Sequence, residues 1–107
     1  MSYILFLDDE RSVDMVDQSS WPVDLPVRIA RSSTEAIQIV EQYGMPVFCA
    51  FDHDLGGDDT TMRFLRFLSS IVEDQNDLPD FAVHSANPVG AMNIVAFMTS
   101  WRRSFSL

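Results

Sequence analysis

Apolar residues come in short unbroken runs along this chain, and polar residues gather where the runs end. Tyr3-Ile4-Leu5-Phe6-Leu7 gives way to Asp8-Asp9-Glu10. Val47-Phe48-Cys49-Ala50-Phe51 gives way to Asp52-His53-Asp54-Leu55-Gly56-Gly57. Phe81-Ala82-Val83 gives way to His84-Ser85-Ala86-Asn87-Pro88. Continuous rather than alternating apolarity marks strands buried on both faces, as in a parallel sheet. Residues 3–7, 45–51 and 81–83 are therefore read as strands, and Val27 to Ala30 as a further short one.

Between the strands the period changes. Ser32-Ser33-Thr34-Glu35 is a capping box, with Ser32 at the N-cap and a Glu three residues on. The helix behind it is expected to bury Ala36, Ile37, Val40 and Tyr43 and to stop at Gly44. Asp58 or Asp59 would cap a second helix, with Phe64, Leu65, Leu68, Ile71 and Val72 inside and Arg63 and Arg66 outside. Asn87 and Pro88 suit the N-cap and first position of a third. Its inner face would be Ala91, Ile94, Val95, Met98 and Trp101. Ser12 to Ser20 reads as a short helix or a loop, because Asp14, Asp17, Pro22 and Pro26 leave little room for more. Glu73 to Asp80 reads as a polar turn.

Strands alternating with helices imply an α/β domain over residues 1–107, with a mostly parallel sheet and right-handed crossovers. Such sheets bind ligands beyond the carboxyl ends of their strands, where the winding reverses. All three polar clusters fall at those ends.

Bulk composition narrows the function. The 107 residues suit one domain with a modest core. The net charge is -9, from 16 acids against 7 basic residues. That excludes a broad nucleic-acid surface, which needs a basic stripe. It leaves room for a nucleotide or an RNA end held locally through a metal ion. All seven basic residues are arginine, and there is no lysine. No apolar stretch approaches the roughly 20 residues of a membrane span. No basic region precedes the first strand, as a signal peptide would require. Cys49 has no disulfide partner and reads as a structural thiol in a reducing compartment. A cytoplasmic protein with no membrane partner is expected.

The clustered acids invite a cation. Neighbouring strands lie about 4.8 Å apart, so carboxylates from two strand ends can share one ion. Asp9 and Asp52 are the expected direct ligands of Mg²⁺ or Mn²⁺, with Asp8 bound through water or just behind, and Asp54 close by. Asp8, Asp9 and Glu10 taken alone read equally well as a solvated, helix-capping turn. With Asp52 and Asp54 added, like charges need a counter-ion. Asp52 is read as a metal ligand first and as a carboxylate nucleophile second.

Both histidines of the chain, His53 and His84, sit in these clusters. Histidine moves protons near neutral pH, and acidic neighbours are expected to raise its pKa. His84 is the candidate acid for a leaving oxygen. His53 follows Asp52 directly, so strand alternation turns it to the opposite face. Arg11 offers a positive charge near the site. Ser85 and Asn87 precede the last helix, whose free N–H groups and positive dipole end suit phosphate. Asn87 also caps that helix. Gly56 and Gly57 make a turn or admit a ligand to the backbone. Trp21 reads as a packing residue.

Taken together these motifs resemble the receiver domains of response regulators. Asp8 and Asp9 match the acid pair that holds Mg²⁺ there, Asp52 with Leu55 and Gly57 matches the phosphoacceptor segment, and Ser85 matches the hydroxyl residue near the fourth strand's end. The receiver lysine has no counterpart, and little sequence remains for a fifth strand. Arg11, a rigid planar donor, is no equivalent of that lysine. A more specific resemblance is to the cyclic-phosphate-processing receiver domains of bacteria and phages. Leu7-Asp8-Asp9-x-Arg11, Trp21, Phe51-Asp52-His53-Asp54-Leu55-Gly56 and His84-Ser85-Ala86-Asn87-Pro88-Val89-Gly90 carry it.

The resemblance implies a three-layer, flavodoxin-like receiver fold truncated to about four strands. It implies a metal at Asp8, Asp9, Asp52 and Asp54, catalysis by Asp52, His84 and Arg11, and phosphate contacts from Ser85, Asn87, Gly90 and His53. The function it implies is metal-dependent opening of a cyclic phosphate, on a cyclic nucleotide, an RNA cyclic phosphate end or a sugar. The alternative is a non-catalytic receiver-like sensor or binding module for a phosphorylated ligand or protein partner. A third reading is a structural adaptor whose acids only cap helices. The sequence leaves substrate and oligomeric state open.

Overall fold

The computed structural model describes residues 2–106. Four strands form one sheet: β1 (Ile4–Leu7), β2 (Val27–Ala30), β3 (Phe48–Phe51) and β4 (Asp80–Val83). Their order is β2-β1-β3-β4, and every pairing is parallel. This is the flavodoxin-like order without its last strand. β1 and β3 lie centrally and all eight of their residues are buried, as unbroken apolar runs require. The third strand starts later than the sequence pattern implies, because Val47 is already exposed.

Right-handed crossovers decide the layers. The chain steps from β2 over β1 to β3, and from β3 to β4, in one direction. Helices α1 (Ser33–Tyr43) and α2 (Thr61–Ile71) therefore share one face, and α3 (Pro88–Ser104) packs beside α2. Leu5, Leu7, Cys49 and Phe51 point into this main core, with Phe64, Leu65, Leu68, Ile94 and Met98 above them. The step from β1 to β2 runs the other way, so residues 8–26 cross the opposite face. They form the third layer with a single 3₁₀ turn, Val13–Met15, and no α-helix. Trp21 is the anchor there: it is buried against Phe6 and Phe48, ring centroids 6.1 and 6.2 Å away.

Helix boundaries follow their caps. Ser32 accepts from the Glu35 N–H, and Glu35 answers by accepting from the Arg31 N–H. The helix stops at Gly44, whose φ of 85° favours glycine. Asn87 accepts from the Gly90 N–H, with Pro88 at the first helical position. Three expectations need correction. Thr60, not Asp58 or Asp59, stands at the N-cap of α2. Tyr43 is exposed, its ring 3.3 Å under the Arg28 guanidinium. Ile71 and Val95 also face outward, because the buried arcs of α2 and α3 are narrower than the apolar pattern. No helix among the described residues is long and apolar enough to cross a membrane.

Candidate active site

The carboxyl ends of β1, β3 and β4 open into one cleft of about 410 Å³. Asp8, Asp9, Glu10, Arg11, Asp52, Asp54, Gly56, Gly57, Ser85, Ala86 and Asn87 line it. β1 pairs with β3 in register, Leu7 against Phe51, so Asp8 and Asp52 leave adjacent strands at the same level. Asp8, Asp9 and Asp52 each offer one carboxylate oxygen, all within 4.8 Å of one another. All three donors are hard oxygens, the set that Mg²⁺ or Mn²⁺ takes. The residues present fit such an ion.

Asp8 is fully buried yet strongly held. One oxygen accepts the Glu10 and Arg11 backbone N–H groups, both at 2.8 Å. The other accepts Arg11 Nη1 at 3.1 Å and faces His84 Nε2 at 2.9 Å. Burial pushes its pKa up, but these donors outweigh burial and hold Asp8 below the usual carboxylate range. Asp52 goes the other way. Burial, then the charge of Asp8, raise its pKa against the His53 N–H, Ser85 and Arg11. The two neighbouring carboxylates are thus pushed in opposite directions, Asp8 down and Asp52 up. Arg11 Nη1 lies 3.5 Å from Asp52 as well, so one guanidinium bridges both acids.

The backbone around the site is built for this. Gly56 has φ 92° and Gly57 φ 56°, turning the chain after β3. A Cβ on Gly56 would sit 3.4 Å from the nearer Asp9 carboxylate oxygen, so the turn also makes room for that side chain. Asp54 is exposed, and its carboxylate accepts from Asn87 Nδ2 at 3.1 Å. Asn87, then His53, hold the Asp54 pKa down. The loop after β3 is thereby stitched to the start of α3. The Asn87 N–H in turn donates to the Ser85 hydroxyl at 3.0 Å.

The family model for the cyclic-phosphate processing receiver domain matches residues 3–100. The chain belongs to that family. A solved chain described as the yeast Spc42 trimeric coiled-coil, amino acids 181–211, fused to another structure, superposes with a TM-score of 0.61. That match covers 98% of this chain and 81% of the other at 13% identity, a likeness of fold alone. No curated protein matches by sequence.

Within this receiver domain the two histidines stand apart from the cleft lining. His84 stacks on Phe6, centroids 5.2 Å apart, and gives its Nε2 to Asp8. Its pKa is lowered, not raised as its acidic neighbours led us to expect: burial outweighs the pull of Asp8. His53 is buried under α3, its ring against Gly90, with Nδ1 3.1 Å from Asp54. A Cβ on Gly90 would come within 2.4 Å of His53 Cγ. Gly90 is therefore a packing glycine, and its N–H is held by the Asn87 cap.

Sequence reading missed several supports. Asp59 does not cap α2; it accepts the Ser33 N–H at 2.8 Å and bonds the Ser33 hydroxyl, tying α1 to the loop after β3. The buried Thr61 hydroxyl donates to the Asp52 carbonyl. Arg31 Nη1 donates to the Asp8 carbonyl at 3.1 Å. Each contact spans separate elements, and no local spacing announces it. Glu10 also lines the cleft, and its place in the acid trio was the only signal.

Proposed function

We propose that this receiver domain opens cyclic phosphates with a divalent cation, Mg²⁺ or Mn²⁺, at Asp8, Asp9 and Asp52. The observation that carries this reading is the convergence of those three carboxylate oxygens within 4.8 Å, beside Arg11, in an open cleft at the strand ends. A cation there supplies Lewis-acid polarisation of the phosphoryl group.

The protein's own residues set up the rest. Asp8 is held rigid by its donors, which also hold its pKa down. Arg11, which bridges Asp8 and Asp52, offers a guanidinium to the equatorial phosphate oxygens. The Ser85 hydroxyl borders the cleft from the β4 side, at the positive dipole end of α3. Water attacks phosphorus and gives up a proton to solvent in the cleft, the ring P–O bond breaks, and the freed alkoxide takes a proton back from that solvent. His84 acts through Asp8 as a positioning residue. The substrate class is a small cyclic nucleotide, an RNA cyclic phosphate end or a sugar cyclic phosphate. A reducing, cytoplasmic setting fits the buried free thiol of Cys49.

One observation favours a second reading. Neither histidine lines the cleft. That suits a receiver-like module that binds a phosphorylated ligand without turnover. Phosphorus NMR of the protein with Mg²⁺ or Mn²⁺ and a panel of cyclic phosphates separates the two. Ring opening lost in Asp52→Asn establishes the enzyme. Shifted or broadened signals without a new monoester peak establish the binding module.

A further inference from the structure

Small-molecule sites usually set a few polar groups among apolar and aromatic side chains. The cleft at the strand ends reverses that balance. Its lining is five carboxylates, Arg11, Ser85, Asn87, two glycines and Ala86. Aromatic rings lie nearby but are committed elsewhere. Phe6 is fully buried and stacked on His84, and Trp21 is buried against Phe6 and Phe48. None of these rings lines the cleft. A nucleobase gains roughly 5–100-fold in affinity by stacking on an aromatic side chain. Among the described residues, this lining holds no ring to supply that gain.

Charge is the second constraint. A cation at Asp8, Asp9 and Asp52 uses three of the five acids. Glu10 and Asp54 remain, both exposed, with 62% of the Asp54 side chain open to solvent. One Asp54 oxygen meets His53 Nδ1 and the other accepts from Asn87 Nδ2, at 3.1 Å each. An ionised carboxylate accepts about four hydrogen bonds and donates none, so Asp54 has capacity left. Whatever approaches these two acids must bring donors and no further negative charge. Sugar and polyol hydroxyls meet both conditions. The phosphates of a continuing RNA strand meet neither.

We propose that the cleft selects its substrate by hydroxyl groups and not by a base: a small sugar or polyol cyclic phosphate with a single negative charge. This rests on the reading of the cleft as a cyclic-phosphate site and narrows it. The phosphate lies at the cation and Arg11, and the hydroxyls of the ligand donate to Asp54 and Glu10.

Phosphorus NMR titration of the protein in excess Mg²⁺ tests this. The shift of the cyclic phosphate signal reads affinity, and a new monoester signal reads turnover, so the two readings are judged separately. Glycerol cyclic phosphate differs from propanediol cyclic phosphate by one hydroxyl. It is expected to bind about tenfold more tightly, as one hydrogen bond to a charged acceptor provides. Glu10→Ala with Asp54→Ala is expected to erase that ratio, which a change in fold or in cation affinity common to both ligands would leave alone. The four nucleoside cyclic phosphates closed on the ribose hydroxyl pair are expected to agree within about threefold, less than stacking would give. A dinucleotide ending in the same cyclic phosphate is expected to bind about fivefold more weakly than the mononucleoside, from one added charge beside the acids.

A ranking that holds without a monoester signal supports the proposal and removes turnover from the proposed function. Ring opening with one base preferred more than about tenfold keeps the enzyme and overturns the proposal. If that base is guanine, Glu10 or Asp54 is reassigned to the donors on its edge. Equal binding of the glycerol and propanediol compounds overturns it. So does tighter binding of the dinucleotide, which assigns the cleft to an RNA end, and so does a panel in which no signal moves.

Discussion

Asp8 and His84 lie 76 residues apart in the chain and 2.9 Å apart in the fold. The contact fixes a fully buried carboxylate at the end of β1 with a ring from the end of β4. Phe6 holds that ring flat from below, at an interplanar angle of 9°. Partners behind a ligating group typically contribute 10–100-fold to metal affinity. His84→Ala is expected to weaken Mn²⁺ binding by roughly that factor. His84→Gln, which keeps a donor, is expected to recover much of it. Electron paramagnetic resonance of added Mn²⁺ reads both. A general acid would behave differently: its loss would lower turnover and leave the Mn²⁺ affinity alone.

Arg11 stands where a cation would compete with it. Its guanidinium already neutralises Asp8 and Asp52. A unit charge a few ångströms away is worth about 1 kcal/mol under water-like screening. Arg11→Ala is therefore expected to tighten Mg²⁺ or Mn²⁺ binding about fivefold in calorimetric titration. If the domain turns over, the same variant is expected to lose about 10²–10³ in rate, as when a preorganised donor is removed. Weaker cation binding in Arg11→Ala would show that the arginine organises the acids instead of competing for them.

Gly90 and His53 give a packing prediction. A methyl at position 90 would overlap the imidazole. Overpacking of this kind costs typically 1–3 kcal/mol. Gly90→Ala is expected to lower the urea midpoint accordingly, and His53→Ala in the same chain to restore part of the loss. A double-mutant cycle measures the coupling. Additive effects would mean that α3 shifts away from the ring without cost.

Acid stability has a defined sign in the metal-free protein. The folded-state pKa of His84 is lowered, so the unfolded chain takes up its proton first, near pH 6.5. Stability is present above that pH and is lost as pH falls toward the folded value. Asp8, also lowered, adds a loss at more acid pH, as its ordinary carboxylate value is passed. Asp52, raised, works against both by favouring the protonated fold. The urea midpoint in the presence of a chelator is expected to fall between about pH 7 and 5, and His84→Gln to flatten that stretch. An unchanged slope in the variant would remove His84 as the cause.

The elements were legible because their signals are local. Unbroken apolar runs suit strands of a covered sheet, and β1 and β3 are buried throughout, while the run 81–83 forms the partly buried edge strand β4. Ser32, Gly44 and Asn87 act through their own backbone neighbours, so they marked helix ends without knowledge of the fold. Burial faces were less legible. Tyr43 and Val95 are apolar and in phase, but whether a phase is covered depends on the neighbouring layer.

Sequence alone determined which residues meet at the strand ends, because a parallel sheet sends every carboxyl end the same way. It therefore named the acids, both histidines, Arg11 and the Ser85–Asn87 turn as one neighbourhood. Only the tertiary structure decided what each does there. Whether a histidine faces the cleft or props a carboxylate depends on a ring stacked beneath it, contributed by another strand. Whether an aspartate caps its own helix or ties down another depends on a contact such as Asp59 with Ser33, 26 residues away. The direction of a pKa depends on burial against donors, and both are sums over the whole fold.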